Sequence, residues 1–393
     1  MKILQAVDSF SVPHGGGTVD LIYKLSRALV DRRHKVAIYT SDFELDRVYI
    51  DSLQGVKVYP FHSWLNLPRM YFVPGMIGEV RRQLKDFDII HLHCFRSFQN
   101  IVIHHYAKKY GVPYVLDTHG SLPRHGNKGF KWLLKWLFDI TFGYRILEDA
   151  SRVIAQTEVG VNEYKELGVN EGKIILITPP FDIEEFSQLP SPGLFRREFN
   201  IKEKHIIMFL GRINWIKGLD FLVESFSELA QSKSDVILVI VGPDDGYKST
   251  LDKLIEDLDL SDRVLFTGFL SGEGKLSALV DADVMVQTSV YEQGAWAPFE
   301  AILCNTPIIV SSNSGAGEDV KRIDAGYLVE YGNKNELRDM MQYVLDNPAE
   351  AAGKTHKARE YVKTNLSLEK GIEKYEELYE EVIERCKSGK EEI

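Results

Sequence analysis

The sequence predicts an α/β fold made of two Rossmann-like, doubly wound domains. Two observations carry the prediction: short apolar segments alternate with amphipathic helical patterns along the chain, and one proline-rich interruption splits that alternation in two. Short buried-type strands separated by helices assemble into parallel sheets with helices on both faces. The length of 393 residues agrees, because a single core stops growing at about 250–300 residues and a longer chain divides.

In the first half the strand segments are KILQAVD (2–8), KVAIYT (35–40), VKVYP (56–60), DIIHLH (88–93), PYVLDT (113–118), RVIAQT (152–157) and KIILIT (173–178). The segment TPPFDIEEFSQLPSPG (178–193) then carries four prolines in sixteen residues, and no periodicity survives it, which places the linker there. The pattern restarts with HIIMFLG (205–211), DVILVIVG (235–242), RVLFTGF (263–269), DVMVQTS (283–289), PIIVSS (307–312) and GYLVE (326–330). In the tail, Ile372, Tyr375, Leu378, Tyr379 and Val382 recur at helical spacing, and such a helix is expected to cross back onto the first domain. The domains are accordingly 1–185 together with the tail helix 367–393, and 195–366.

Composition narrows the class. A hydrophobic share of 44% with 26% charged residues is that of a globular enzyme. Cys94, Cys304 and Cys386 are scattered, which excludes a disulfide framework or a cysteine zinc site and suits a reducing compartment. No apolar run reaches 18 residues, and Met1-Lys2 leads directly into a strand pattern, so a cytoplasmic protein is expected. The net charge of -10 argues against a nucleic-acid partner.

Ligands of open parallel sheets bind beyond the C-terminal ends of the strands, so two facing sheets would surround a central cleft and each motif is judged by the strand end it occupies. Arg212 and Lys217 in GRINWIKG directly follow the strand HIIMFL. A planar guanidinium fork and a mobile ammonium suit a diphosphate; the alternative is two solvated surface cations. SVYEQGAWAPFE (289–300) sets Glu292 and Glu300 eight residues apart around Gly294. Gly favours a turn and Pro298 suits a helix start, so Glu292 is expected on a loop and Glu300 in the first turn of a helix. A carboxylate there can accept paired hydrogen bonds from vicinal hydroxyls, as an acidic residue does for ribose, or it can simply complement the helix dipole.

In the first half, His14-Gly15-Gly16-Gly17 reads either as a backbone loop whose amides, with the helix N-terminus from Thr18 onward, approach an anion or sugar, or as a structural turn. No GxSxG elbow accompanies it, which excludes a lipase reading. His119 ends the strand PYVLDT and is followed by Gly120. A neutral imidazole there can hydrogen-bond a sugar hydroxyl, or it can be a packed loop histidine. His91 and His93 share a face of DIIHLH without a third ligand at suggestive spacing, which favours strand-end packing over a metal. The Asp-x-Asp pairs at 86–88 and 281–283 open strands at the opposite sheet edge, so no catalytic metal is expected. GPDDGYKS (242–249) and GFLSGEGKL (268–276) miss the phosphate-loop spacing, which argues against an ATPase.

Taken together, GR-x4-KG at 211–218, E-x7-E at 292–300, NTPIIVSSNSGAGEDV at 305–320, GYLVEYGNKNELRDMM at 326–341, the N-terminal glycine loop and Thr118-His119-Gly120 resemble the retaining glycosyltransferases of family 4, which have the GT-B fold. The resemblance spans nearly the whole chain. It implies that Arg212 and Lys217 hold the diphosphate of a nucleotide-sugar donor, a UDP- or GDP-sugar, that Glu300 holds its ribose, and that Glu292 holds sugar hydroxyls. His119 would then touch the donor sugar near the reacting carbon. The backbone of Gly294, Ala295 and Trp296 would complete the sugar pocket, and Gly16 and Gly17 would approach the phosphates. No cofactor or metal is implied. Two departures stand out: Gly294-Ala295-Trp296 replaces the usual aromatic and glycine, and TPPFD (178–182) replaces an Asn-Gly turn. Sugar-nucleotide epimerases, hydrolases and non-catalytic binders share this architecture and remain as alternatives.

The acceptor implied is a glycan or a lipid-linked molecule. Residues 121–145 hold five Lys/Arg against one Asp, interleaved with Phe130, Trp132, Trp136, Phe138 and Phe142. Such a helix suits an anionic membrane surface, and the aromatics of 61–74 add to it. The alternative is a core-facing helix with Lys128, Lys131 and Lys135 solvated.

Overall fold

A computed structural model describes residues 1–67, 70–123, 130–294 and 296–389. The chain forms two compact units, Met1–Pro180 with Leu368–Ile393, and Phe181–Ser367.

The first unit is built on strands β1 (Lys2–Ala6), β2 (Lys35–Ser41), β3 (Lys57–Phe61), β4 (Leu65–Leu67), β5 (Met70–Phe72), β6 (Ile89–His93), β7 (Tyr114–Asp117), β8 (Arg152–Ala155) and β9 (Ile174–Leu176). Seven of them form one parallel sheet in the order β3-β2-β1-β6-β7-β8-β9. The order reverses between β1 and β6, and their C-terminal ends therefore mark the place where a doubly wound sheet opens a crevice. The inner strands are buried on both faces, as in sheets covered by helices, mostly by apolar residues but with Gln5, His91, His93 and Asp117 among them. β4 and β5 pair antiparallel, Leu65 opposite Phe72, as a separate hairpin that the apolar pattern does not announce.

The tail helix Leu368–Lys387 belongs to this unit. Its Ile372, Tyr375, Leu378, Tyr379 and Val382 are all buried, packed with Leu25, Leu29, Ile89 and Val115, and each such side chain contributes roughly 1.5–3 kcal/mol of burial. Glu376 accepts from Arg32 Nη1 at 2.5 Å and Glu381 from Arg152 Nη2 at 2.6 Å. Gly371 is required by contact: a Cβ there would lie 2.3 Å from Pro180.

The second unit carries β10 (His205–Leu210), β11 (Val236–Val241), β12 (Val264–Gly268), β13 (Val284–Gln287), β14 (Ile308–Ser311) and β15 (Tyr327–Val329). They form a parallel sheet in the order β12-β11-β10-β13-β14-β15, which reverses between β10 and β13. Much of the segment expected to link the domains is part of this unit. Phe181 and Phe186 are buried in its core with Phe195, and the Phe181 N–H donates to Leu366 O at 2.8 Å. Proline removes periodicity, but the aromatics between the prolines still find apolar neighbours.

Candidate functional site

In the second unit the loops after β10 and β13, neighbours at the reversal point, are tied together by backbone. The Val290 N–H donates to Ile216 O at 2.9 Å, and Thr288 Oγ1 lies 3.0 Å from Gly218 O and 3.2 Å from Lys217 O. Gly218 permits this approach. Its φ is +62, and a Cβ would stand 2.2 Å from Thr288 O. Lys217 ends a 3-10 turn, Trp215–Lys217, capped by Asn214 Oδ1, which accepts from the Ile216 N–H at 3.1 Å.

This packing brings Lys217 to Glu292. Lys217 Nζ donates to Glu292 Oε1 at 2.5 Å, and Glu292 Oε2 accepts from Ser289 Oγ at 2.7 Å and Gln287 Nε2 at 3.0 Å. Both partners are mostly buried, at 13% and 14% exposure, so the pair is held in a fixed place with little solvent screening. The Glu292 carbonyl accepts from Gly315 N–H at 2.7 Å, where a Cβ on Gly315 would meet Gln293 O at 2.0 Å. Gly315 opens the helix Gly315–Ile323, whose Ser314 Oγ accepts from Gly317 N–H.

Arg212, on the same loop as Lys217, donates from Nη1 to Asp245 Oδ2 at 2.5 Å, and Asn214 Nδ2 reaches the same oxygen at 3.1 Å. The neighbouring Asp244 accepts from the amides of Gly246, Tyr247 and Lys248. Those amides, Lys248 foremost, hold its carboxyl below the usual carboxylate range. Glu300 lies in the first turn of the helix Ala297–Leu303, with Pro298 beside it as the sequence leads one to expect. Its Oε1 accepts from Lys275 Nζ at 2.7 Å. Gly294 lies on the loop between Glu292 and this helix, and Ala295 is outside the described residues. The Trp296 indole packs against Phe181 at 5.2 Å, so its side chain belongs to the core, while its carbonyl accepts from the Phe299 and Glu300 N–H groups. The sequence reasoning missed Lys275, Asp245 and Gly315. The first two sit on other loops and helices, and only strand order brings them near.

In the first unit the glycine loop differs from expectation. A helix starts already at Val12, with Pro13 in its first turn, and Gly16 (φ +50, ψ -134) breaks it, so that a second helical segment runs from Gly17. Proline in a first turn favours this early start, and the sharp bend falls on the residue without a Cβ. A Cβ at Gly16 would meet nothing within 4 Å, so backbone geometry rather than crowding calls for glycine.

His119 follows β7 with φ +46. Its ring Nδ1 lies 2.7 Å from Gln156 Nε2 and its Nε2 lies 2.9 Å from His93 Nδ1, so both ring nitrogens are engaged within the protein. His93 Nε2 lies 2.6 Å from Gln5 Oε1, and His91 Nδ1 lies 2.7 Å from the Tyr379 hydroxyl of the tail helix. His91 and His93 thus do more than fill a strand end; His93 is a direct partner of His119. Burial holds His91 and His93 well below the ordinary histidine range, and it lowers His119 against the opposing pull of Asp117. Among the described residues no group of three His, Cys, Asp or Glu is placed to hold a metal ion.

The helix Phe130–Phe138 and the π-turn Asp139–Gly143 follow, anchored by Arg96, which donates from Nε and Nη2 to both oxygens of the buried Asp139 at 2.8 Å. Phe138 is buried, yet Trp132, Leu133, Trp136, Leu137, Ile140 and Phe142 are 37–48% exposed. Apart from Phe138, these apolar residues do not turn into the core. Residues 124–129, Lys128 among them, lie outside the described residues, and among those described no helix is long and apolar enough to cross a membrane.

Residues 193–365 match the family described as Glycosyl transferases group 1, and residues 15–185 match Glycosyltransferase Family 4. The chain is 25% identical over 404 residues to the N-acetyl-alpha-D-glucosaminyl L-malate synthase of Bacillus anthracis, covering 99% of this chain and 100% of that protein. It is 23% identical over 376 residues to the D-inositol 3-phosphate glycosyltransferase of Kineococcus radiotolerans, covering 85% and 83%. Among solved structures, Anabaena HepE in complex with UDP and glucose shares the fold with a TM-score of 0.81 at 19% identity, covering 97% of this chain and 100% of that one. With two parallel-sheet units, the loop pairing of Lys217 with Glu292, and family matches over both units, this chain belongs to the family 4 glycosyltransferases and has the GT-B fold.

Proposed function

We propose that the chain moves a sugar, with retention at the anomeric carbon, from a nucleoside-diphosphate sugar to a glycan or lipid-linked acceptor without a metal. The observation that carries this reading is the Lys217–Glu292 pair on adjoining loops at the reversal of the second sheet, with Arg212 on the same loop and Glu300 opening the next helix. Arg212 and Lys217 meet the charge that grows on the diphosphate as the bond from C1 to the phosphate oxygen breaks, Glu300 binds the ribose diol, and Glu292 orients sugar hydroxyls. The acceptor oxygen then bonds to C1 on the face the diphosphate leaves, and the acceptor proton passes to the departing phosphate. The backbone at Gly294 and Trp296 lines the sugar, and in the first unit the amides after Gly16 suit an anion. Within the first unit we read His119 as a neutral group that recognises a sugar.

HepE has been solved with UDP and with UDP-glucose, which makes uridine nucleotides the first to test. Incubation with labelled UDP- and GDP-sugars and measurement of nucleoside diphosphate release tests the reaction, because donor hydrolysis needs no acceptor. Diphosphate release is expected; an isomeric nucleotide sugar, or no turnover of any donor with and without membrane extract, would overturn the reading.

On the acceptor side, we propose that the exposed apolar residues of 132–142 meet an anionic lipid surface, which would place the enzyme at the cytoplasmic face of a membrane. The exposure of Trp132 and Trp136 beside a basic stretch supports it. Binding to vesicles containing phosphatidylglycerol at low salt should be weakened by Trp132→Ala/Trp136→Ala. Equal sedimentation of wild type with and without vesicles would remove this part alone.

A further inference from the structure

We infer that His93 is a positioning residue for His119, fixing both the orientation and the protonation of its ring. This rests on the reading that His119 takes part in sugar transfer, and deepens it. His119 occupies left-handed backbone with φ +46, which a non-glycine residue adopts only where its surroundings hold it. One hold is local: the His119 N–H donates to Asp117 Oδ1 at 3.0 Å. The ring is held from both sides, by Gln156 and by His93.

The tautomers follow from the partners. Gln156 Nε2 lies 3.2 Å from Asp117 Oδ2 as well as 2.7 Å from His119 Nδ1. A carboxylate accepts, so the amide nitrogen faces this way and donates to both. His119 Nδ1 is then the acceptor, the ring proton sits on Nε2, and it is donated across 2.9 Å to His93 Nδ1. His93 in turn carries its proton on Nε2 and donates to Gln5 Oε1 at 2.6 Å. A proton on His119 Nδ1 would set two donors face to face at Gln156. The chain from Asp117 to Gln5 therefore has one direction, and His119 is kept neutral in one rotamer. Such a ring offers shape and a fixed dipole to a reaction, not a proton. His91 lies against His93, ring centroids 4.0 Å apart and tilted by 32°, and binds Tyr379, so the tail helix backs the arrangement through His91.

Substitutions separate this role from packing. Asn at position 93 can place its amide oxygen where Nδ1 stands, while Gln reaches toward the Nε2 position and leaves His119 without its acceptor. In the full-length chain, His93→Asn is expected to keep kcat within about threefold of wild type, and His93→Gln and His93→Phe to lose about tenfold or more in kcat with the donor KM unchanged. Nitrogen NMR of histidine-labelled protein, with the His119 signals assigned through His119→Ala, should show the proton on Nε2 in wild type and His93→Asn. In His93→Gln and His93→Phe the two ring nitrogens should move toward averaged values. His91→Phe, equally buried, should leave the His119 signals in place. Wild-type kcat and unmoved His119 signals in His93→Gln would overturn the inference, and because Gln is polar and close in size that variant carries the test should His93→Phe fail to fold. If His119→Ala itself turns over like wild type, the reading of His119 falls, while the spectra still decide whether His93 sets its ring.

Discussion

Lys217 and Glu292, 75 residues apart with three of the second sheet's six strands between them, meet at 2.5 Å through loops that leave neighbouring strands. The carboxylate is also held by Ser289 and Gln287, so its position does not depend on the lysine alone. Removing the ammonium takes away the group proposed to stabilise the leaving diphosphate and leaves Glu292 with neutral donors only. Loss of one such preorganised group typically costs about 3 kcal/mol in the transition state, or roughly two orders of magnitude in turnover. Lys217→Ala is expected to lower kcat by that amount in a diphosphate-release assay, and wild-type turnover would refute the assignment.

Glu300 and Lys275 form the second pair of this edge, at 2.7 Å. If Glu300 binds the ribose diol, Glu300→Ala should weaken binding of the free nucleoside diphosphate by about 1.5–3 kcal/mol, the worth of hydrogen bonds to a charged group. Lys275→Ala leaves the carboxylate in place but loosens it, so a smaller loss is expected. Titration calorimetry orders the three proteins, and equal affinity in wild type and Glu300→Ala would count against ribose recognition here.

Gly218 offers a test of how firmly the loops are set. Both Gly218 (φ +62) and Gly246 (φ +85) have left-handed backbone, but a Cβ at 218 would stand 2.2 Å from Thr288 O and one at 246 would meet nothing within 4 Å. Gly246→Ala therefore carries only backbone strain, about 1–2 kcal/mol. Gly218→Ala must also push the two loops apart, and with them Lys217 from Glu292. Thermal melts should show the larger drop for Gly218→Ala, accompanied by reduced turnover; comparable melting of the two variants would show that the loops give way easily.

The strands of the two parallel sheets were legible because continuous apolar runs report burial directly, and Ile206 to Phe209 or Val236 to Val241 are too short between turn signals for buried helices. The tail helix was legible for the same reason, its five apolar positions falling on one face. What the sequence concealed are pairings made by topology. Lys217 and Glu292 each carry a motif, but nothing in their spacing says that β10 lies beside β13; Lys275 and Asp245 carry no motif at all. His93 looked like a packed strand end because its partner, His119, comes from the neighbouring strand's loop. Phe181 and Phe186 were hidden by the prolines around them, which erase periodicity without preventing burial.

The buried histidines set a pH dependence whose sign can be worked out. Burial holds His91 and His93 well below the ordinary value of about 6.5, with neighbouring histidines adding to the shift. Below that value the unfolded chain takes up protons on these rings and the folded chain does not, so the unfolded state binds more protons and stability is lost as the pH falls from about 7 to about 5. Each ring adds at most about 1.4 kcal/mol per pH unit. His91→Phe removes one of them and loses the bond to Tyr379, so it should melt lower at neutral pH yet show a shallower decline on acidification than wild type. The slope, not the absolute melting temperature, is the readout. Parallel slopes for the two proteins would mean that His91 is protonated alike in the folded and unfolded chain, and that its burial does not control its charge.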